Sequence, residues 1–300
     1  MNILYRPALL LLPLIFAACR QSSPKENPLD QYADAVKPRP FAPELALKEN
    51  TYKGSLTADG STFYFFRATG QGQEQYRIYQ SVYKNKTWSE PVPISFSDTS
   101  SDLYPLLSLA EKDRLILASY RRHPADTGKK VNATFWHTEK NTSGEWAPPK
   151  PFPANSLLYN YNSQPSMTKR GTIYFTSTLP DWSQRFTYKM EYRNGSYHEP
   201  VLVDFINSLR QTDTARQYWE TCISPDEDYM VLVISEKQES PKLFLSLAQA
   251  DGWTSPRYIG EITGTDMSGN FPYITPDGKF LVFTKAFSGF YILPTKLFLP

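Results

Sequence analysis

Cysteine is nearly absent from this 300-residue chain, with two residues, Cys19 and Cys222. That excludes a disulfide scaffold or a cysteine-ligated zinc cluster. Three histidines (His123, His137 and His198) have no pair at metal-ligand spacing, so no metal or other cofactor is implied. Charge of one sign is missing too: 32 basic and 30 acidic residues are scattered through the chain, which offers no concentrated field for nucleic acid. There is no Gly-x-Ser-x-Gly elbow, phosphate-binding glycine loop or dinucleotide fingerprint. The one long apolar run, Ala8 to Ala17, is about ten residues, whereas a membrane-spanning helix needs roughly 20.

What is abundant is aromatic and proline: 20 Tyr, 18 Phe and 25 Pro against 14 Gly. Many short strands separated by turns have this profile, and helical bundles do not. The apolar run follows Arg6 and ends in Phe16-Ala17-Ala18-Cys19, which resembles a bacterial lipobox. That resemblance implies a signal peptide over residues 1–18 and a Cys19 that carries lipid after cleavage. Several acyl chains, at about 0.8 kcal/mol per buried methylene, hold a protein to a membrane where one does not. An ordinary signal peptide cut elsewhere is the alternative, and the fate of Cys19 separates the two. No Asp follows Cys19, which in such families leans towards the outer membrane of the cell envelope. Residues 19–40 are polar and proline-rich and read as a flexible linker, with the fold expected over 41–300. Cys222, in an apolar strand context, reads as an inert buried residue.

Self-similarity sets the architecture. Five segments share the order apolar, apolar, Ser/Thr, turn, apolar β run, with the Ser/Thr column at Thr57, Ser108, Thr168, Ser224 and Thr275. The steps are 51, 60, 56 and 51 residues, a period that fits a four-stranded propeller blade and that a β-sandwich does not need. Asp59-Gly60 and Asp277-Gly278 sit where a tight hairpin turn of the primed type is expected. A second column places an aromatic just before a proline: Trp88 before Pro91, Trp146 before Pro148, Tyr197 before Pro200 and Trp253 before Pro256. Each precedes an expected outermost strand, where proline is tolerated. The last unit ends without this element, and Phe41 to Leu47 resembles it. The fold class is therefore all-β: a propeller of five four-stranded blades, the N-terminal strand pairing beside residues 290–297 to complete the last one and shut the ring.

Ser224-Pro225-Asp226, Thr275-Pro276-Asp277-Gly278 and Trp88-Ser89-Glu90-Pro91 resemble TolB-like, WD-repeat-like β-propeller repeats of bacterial envelope proteins over about residues 41–300. Blades two and three lack the Pro-Asp-Gly and are placed by spacing. The resemblance implies fold, since propellers host unrelated activities.

Propeller ligands are expected over the central opening, at loops entering the innermost strands and loops joining second to third strands. These hold a cationic cluster (Arg121, Arg122, His123), ring faces (Trp182, Trp219), hydrogen-bonding groups (Tyr104, Tyr161, Asn162) and carboxylates (Asp102, Glu220, Asp266). Flat apolar faces mixed with directional polar groups suit glycan or peptide ligands. A membrane-tethered module that binds an envelope protein or glycan is the expected function, with no catalysis indicated. Glycoside hydrolysis by two of the three carboxylates at the propeller centre is the alternative; it needs carboxyls about 5–9.5 Å apart.

Overall fold

The computed structural model describes residues 27–45, 51–68, 76–97, 101–125, 127, 132–152, 157, 159–236, 239–285 and 289–300. Cys19 and residues 1–18, the expected signal peptide, lie outside them. The innermost strands are Thr51–Leu56, Asp102–Leu107, Tyr161–Met167, Arg216–Ile223 and Asn270–Ile274, each opening an antiparallel sheet of the expected order. Blade one continues through Thr62–Ala68, Tyr76–Lys84 and Val92–Pro93, and blade five through Phe280–Thr284 and Phe290–Pro294. The five innermost strands touch in a closed cycle, one to two, two to three, three to four, four to five and five to one. The fold is therefore a five-bladed β-propeller.

Closure is made as the sequence implied. Arg39–Phe41 pairs antiparallel with blade five, Arg39 opposite Ile292 and Phe41 opposite Phe290. The strand is not the expected Phe41 to Leu47: it lies ahead of that stretch and shares only Phe41 with it. Ala42 then takes a positive φ of 45° and Pro43–Leu45 forms a 3₁₀ turn, so the chain leaves the sheet. Packing also begins ahead of residue 41: Leu29 and Tyr32 are buried with Phe41 in the core shared by blades one and five. Phe41 is fully buried, with its ring edge-on to Phe63 at 5.4 Å and to Trp88 at 5.8 Å.

The Ser/Thr column acquires a physical role. Thr57 Oγ1 donates to Asp59 Oδ1 (2.7 Å) and accepts from Thr62 N (3.0 Å), and Thr275 does the same with Asp277 and Phe280 N (2.7 and 3.1 Å). One hydroxyl thus ties each turn to the strand after it. The turns themselves are not the two-residue primed type. Thr57 N reaches Thr62 O across four intervening residues, and within each Asp-Gly pair only the glycine has positive φ, 69° at Gly60 and 74° at Gly278. Asp59 spends its carboxylate on Ser61 N (3.0 Å), a local bond that favours the longer loop.

A further column, two residues before the Ser/Thr, stitches blades together. Ser55 Oγ accepts from Leu107 N (3.1 Å), Ser166 Oγ from Ile223 N (3.0 Å) and Tyr273 OH from Leu56 N (3.1 Å), each bond crossing to the next blade. The aromatic column works further out. Trp146 meets Tyr64 of blade one edge-on at 5.8 Å, and Tyr197 lies 4.8 Å from Phe152 of blade two. In blades one, three and four this aromatic occupies a small hairpin (Thr87–Trp88, Ser196–Tyr197, Gly252–Trp253), and the outermost strand follows its proline.

Helix enters at two blade junctions. The segment DFINSLRQT forms α1 (Asp204–Thr212), with Asp204 in the first turn and Arg210 in the last, the charge order a helix dipole favours. Ile206 and Leu209 pack into the core between blades three and four. Asn207 pairs with both backbone groups of Thr187, accepting from N (3.0 Å) and donating to O (2.9 Å), which moors α1 to blade three. The short α2 (Ile259–Thr263) precedes the innermost strand of blade five and ends on Gly264 at φ 67°. No helix among the described residues is long and apolar enough to cross a membrane.

Candidate functional site

Every innermost strand carries a bulge near its start, and the bulges recur at one point of the repeat. Four residues before the Ser/Thr column stand Lys53, Tyr104, Gln164, Glu220 and Phe271. Tyr104, Gln164 and Phe271 have φ of 52°, 57° and 55°, a strained region for residues with side chains, and the bulge re-aims them. They reach across the axis. Tyr104 of blade two and Phe271 of blade five, which are not neighbours in the ring, have ring centroids 6.5 Å apart. Above them Tyr52 stands edge-on to Phe271 at 5.5 Å, and Tyr104 OH bonds Tyr161 OH at 3.0 Å.

The electrostatics of this axial group are unusual. Glu220 is buried, its Oε2 accepts from Phe271 N (3.0 Å), and burial pushes its carboxyl up to about 7 against the pull of Lys53 and Arg185. Lys53, 3% exposed, has no hydrogen-bond partner at Nζ, and burial lowers its affinity for a proton while Cys222 and Glu220 partly restore it. Gln164 Oε1 is likewise buried without a partner. Tyr104 is held well above the usual phenol range by burial and by Tyr161.

Beside the axis, between blades three and four, lies a cleft of about 500 Å³. One wall is the turn into Arg185, another is α1, and the floor is the start of the strand holding Tyr218 and Trp219. Trp182 caps the turn with φ 61°, held by Trp182 N to Leu179 O (2.9 Å) and by Asp181 Oδ1 accepting from Ser183 N (3.0 Å). The residue remains 51% exposed, and its ring lies 5.0 Å from that of Tyr161. Trp219 donates Nε1–H to Ser235 Oγ (2.7 Å), which fixes its plane, and the Arg185 guanidinium lies 4.2 Å over that ring. Arg210 is braced by Tyr218 O (3.2 Å), Thr187 Oγ1 (3.1 Å) and Asn207 Oδ1 (3.0 Å). Burial and the neighbouring Arg185 push Arg210 down to about 9, still charged at neutral pH.

The residues singled out from sequence fall into two groups. Tyr104, Tyr161, Trp182, Trp219 and Glu220 converge on the axis and the cleft. Asn162 is buried beside Tyr161 and donates to Leu157 O (3.0 Å). The others are engaged elsewhere. Asp102, fully buried, is ion-paired with Arg121, whose Nη2 also donates to Phe96 O (2.6 Å); burial raises the carboxyl and Arg121 opposes the rise. His123 is buried, its Nδ1 accepting from Ala125 N (3.1 Å) and its ring edge-on to Trp136 at 6.1 Å. Arg122 is exposed. Asp266 is also exposed, pairs with Lys285 (3.2 Å) and is pulled to about 2 by the Ser268 hydroxyl first, with the Ser268 N–H and Lys285 adding to it against the opposing effect of burial. Sequence reasoning did not single out Lys53, Gln164, Phe271, Arg185 and Arg210. The first three were findable by reading the column four residues before each Ser/Thr.

No protein-family model and no curated protein sequence matches the chain. Solved structures similar to it include a glycoside hydrolase (10% identity, 82% of this chain and 87% of that one, TM-score 0.49). A periplasmic gluconolactonase of Pseudomonas aeruginosa is similar at 11% identity (79% and 78% of the two chains, TM-score 0.45), and TolB from Acinetobacter baumannii at 12% (82% and 54%, TM-score 0.45). At these values the similarities say nothing of what this chain binds or does.

Proposed function

We propose that this protein is a lipid-anchored module of the bacterial envelope, tethered through Cys19 at the outer membrane, whose propeller binds a glycan partner in the cleft between blades three and four. The observation that carries this reading is Trp182. A tryptophan half exposed at the rim of a 500 Å³ cleft, on a strained and well-braced turn, offers the flat apolar face that a sugar ring stacks on. The polar side chains of Gln184 and Gln217 in the lining supply the directional bonds such a ligand needs.

Hydrolysis by paired carboxylates is the weaker reading. Asp102 is committed to Arg121 and Asp266 to Lys285, and the charged groups acting on Glu220 are Lys53 and Arg185, so among the described residues no second carboxylate faces it.

A soluble form starting at residue 27, applied to a glycan array, tests binding. Wild type is expected to retain a defined set of glycans and Trp182→Ala to lose at least about tenfold in affinity, the scale of losing one well-stacked aromatic contact. Retention of no glycan by the folded wild type would overturn the reading. In cells, Cys19→Ser is expected to move the protein from the membrane to the soluble fraction.

A further inference from the structure

The cleft has an electrostatic bias that the binding reading does not require. Its lining carries Arg185, Arg210 and Arg216 and neither Asp nor Glu. Arg216 shares its charge with Asp213 (3.8 Å) and Glu236 (3.7 Å). Among the described residues neither Arg185 nor Arg210 forms an ion pair, and each is partly desolvated. Arg210 spends its donors on Tyr218 O, Thr187 Oγ1 and Asn207 Oδ1, so its position is fixed and its positive charge is uncompensated. The Arg185 guanidinium carbon lies 4.2 Å from the centre of the Trp219 ring, a contact that holds it at the cleft wall. Two like charges held together in a poorly solvated cleft repel each other, and a bound anion relieves that cost.

We infer that the ligand of this cleft is a carboxylated saccharide, a uronic acid residue whose carboxylate meets the Arg185 fork, with Arg210 behind it, while its ring lies on Trp182. A carboxylate can accept two parallel N–H···O bonds from one guanidinium, which fixes its orientation as well as its charge. The exposed Trp182 face selects a ring-bearing ligand over a free inorganic anion. Glu220, which acts on Arg185 from the axial side, keeps the local field from becoming indiscriminately positive. The inference rests on the glycan-binding reading and narrows it.

Titration calorimetry with a uronic-acid oligosaccharide, its methyl ester and a neutral oligosaccharide of the same linkage tests it. The acid is expected to bind at least about tenfold more tightly than the ester and to lose that advantage as salt is raised from about 50 to about 300 mM. Arg185→Gln is expected to abolish the preference, bringing the acid's affinity down to that of the ester. Arg185→Lys, which preserves charge without the fork, should retain part of the preference and guards against a folding defect in the first variant. Equal affinity for acid and ester would overturn this inference while leaving the glycan-binding reading intact. A sulfated oligosaccharide bound as tightly as the uronic acid would overturn the carboxylate assignment. Failure of all three saccharides to bind would instead remove the reading on which it rests.

Discussion

Removing the Phe41 ring is the sharpest perturbation of the closed propeller. Phe41 is the last residue of the strand that completes blade five, is fully buried, and touches Tyr32, Phe63 and Trp88. Truncating a buried Phe to Ala costs about 3–5 kcal/mol through lost burial and the cavity left behind. Roughly 240 described residues carry an unfolding entropy of about 0.5 kcal/mol/K, so the melting temperature of Phe41→Ala should fall by about 6–10 °C. Phe41→Leu keeps most of the apolar volume and should fall by less than half as much. The assay is thermal unfolding followed by circular dichroism, with hydrogen exchange at residues 290–292 as a local probe of the seam. A shift within about 2 °C for the alanine variant, or unchanged protection at the seam, would refute the claim that this strand seals the ring.

Three further outcomes follow from the same geometry. An acid whose folded value is raised favours the folded state fully below its unfolded value near 4.5, and that contribution is lost as pH rises through about 7; wild type should therefore lose stability relative to Glu220→Gln across this window, by up to about 3 kcal/mol, in urea titrations at pH 4.5 to 8. Arg121→Ala strands Asp102 in the interior and should destabilise by about 3–5 kcal/mol in chemical denaturation without changing affinity for any ligand of the cleft. Gly54→Ala would place a Cβ 2.1 Å from Tyr64 O in the adjoining strand, and should cost several degrees of melting temperature or the soluble yield altogether.

Blade number, strand order and closure were legible because they rest on repetition: a hydroxyl and a turn recur at one place in each unit, and the final unit visibly lacks its last strand. The extent of that strand was less legible. Phe41 to Leu47 has the right alternation, but the positive φ at Ala42 and the turn at Pro43–Leu45 are set by packing against blade one, which no local pattern reports. The site was legible by residue type and not by partnership. Arg121 and His123 lie in an expected loop, whereas Asp102 opens the innermost strand of blade two, and only the fold reveals that Arg121 serves Asp102 and that His123 packs on Trp136. Conversely, Lys53 sits in an unremarkable Thr-Tyr-Lys-Gly strand, and its meaning comes from Glu220, far away in sequence and on a blade that is not its neighbour. Arg210 gains its character from α1, which brings it beside Arg185, a juxtaposition that no local pattern reports.

The most direct test of the account is a crystal structure of residues 27–300 grown with whichever glycan the array retains. The sugar should lie between blades three and four, its ring on Trp182 at stacking distance and its polar groups towards Arg185 and Gln217. Density for the glycan on the opposite face or at the outer strands, with the cleft holding only solvent, would contradict it.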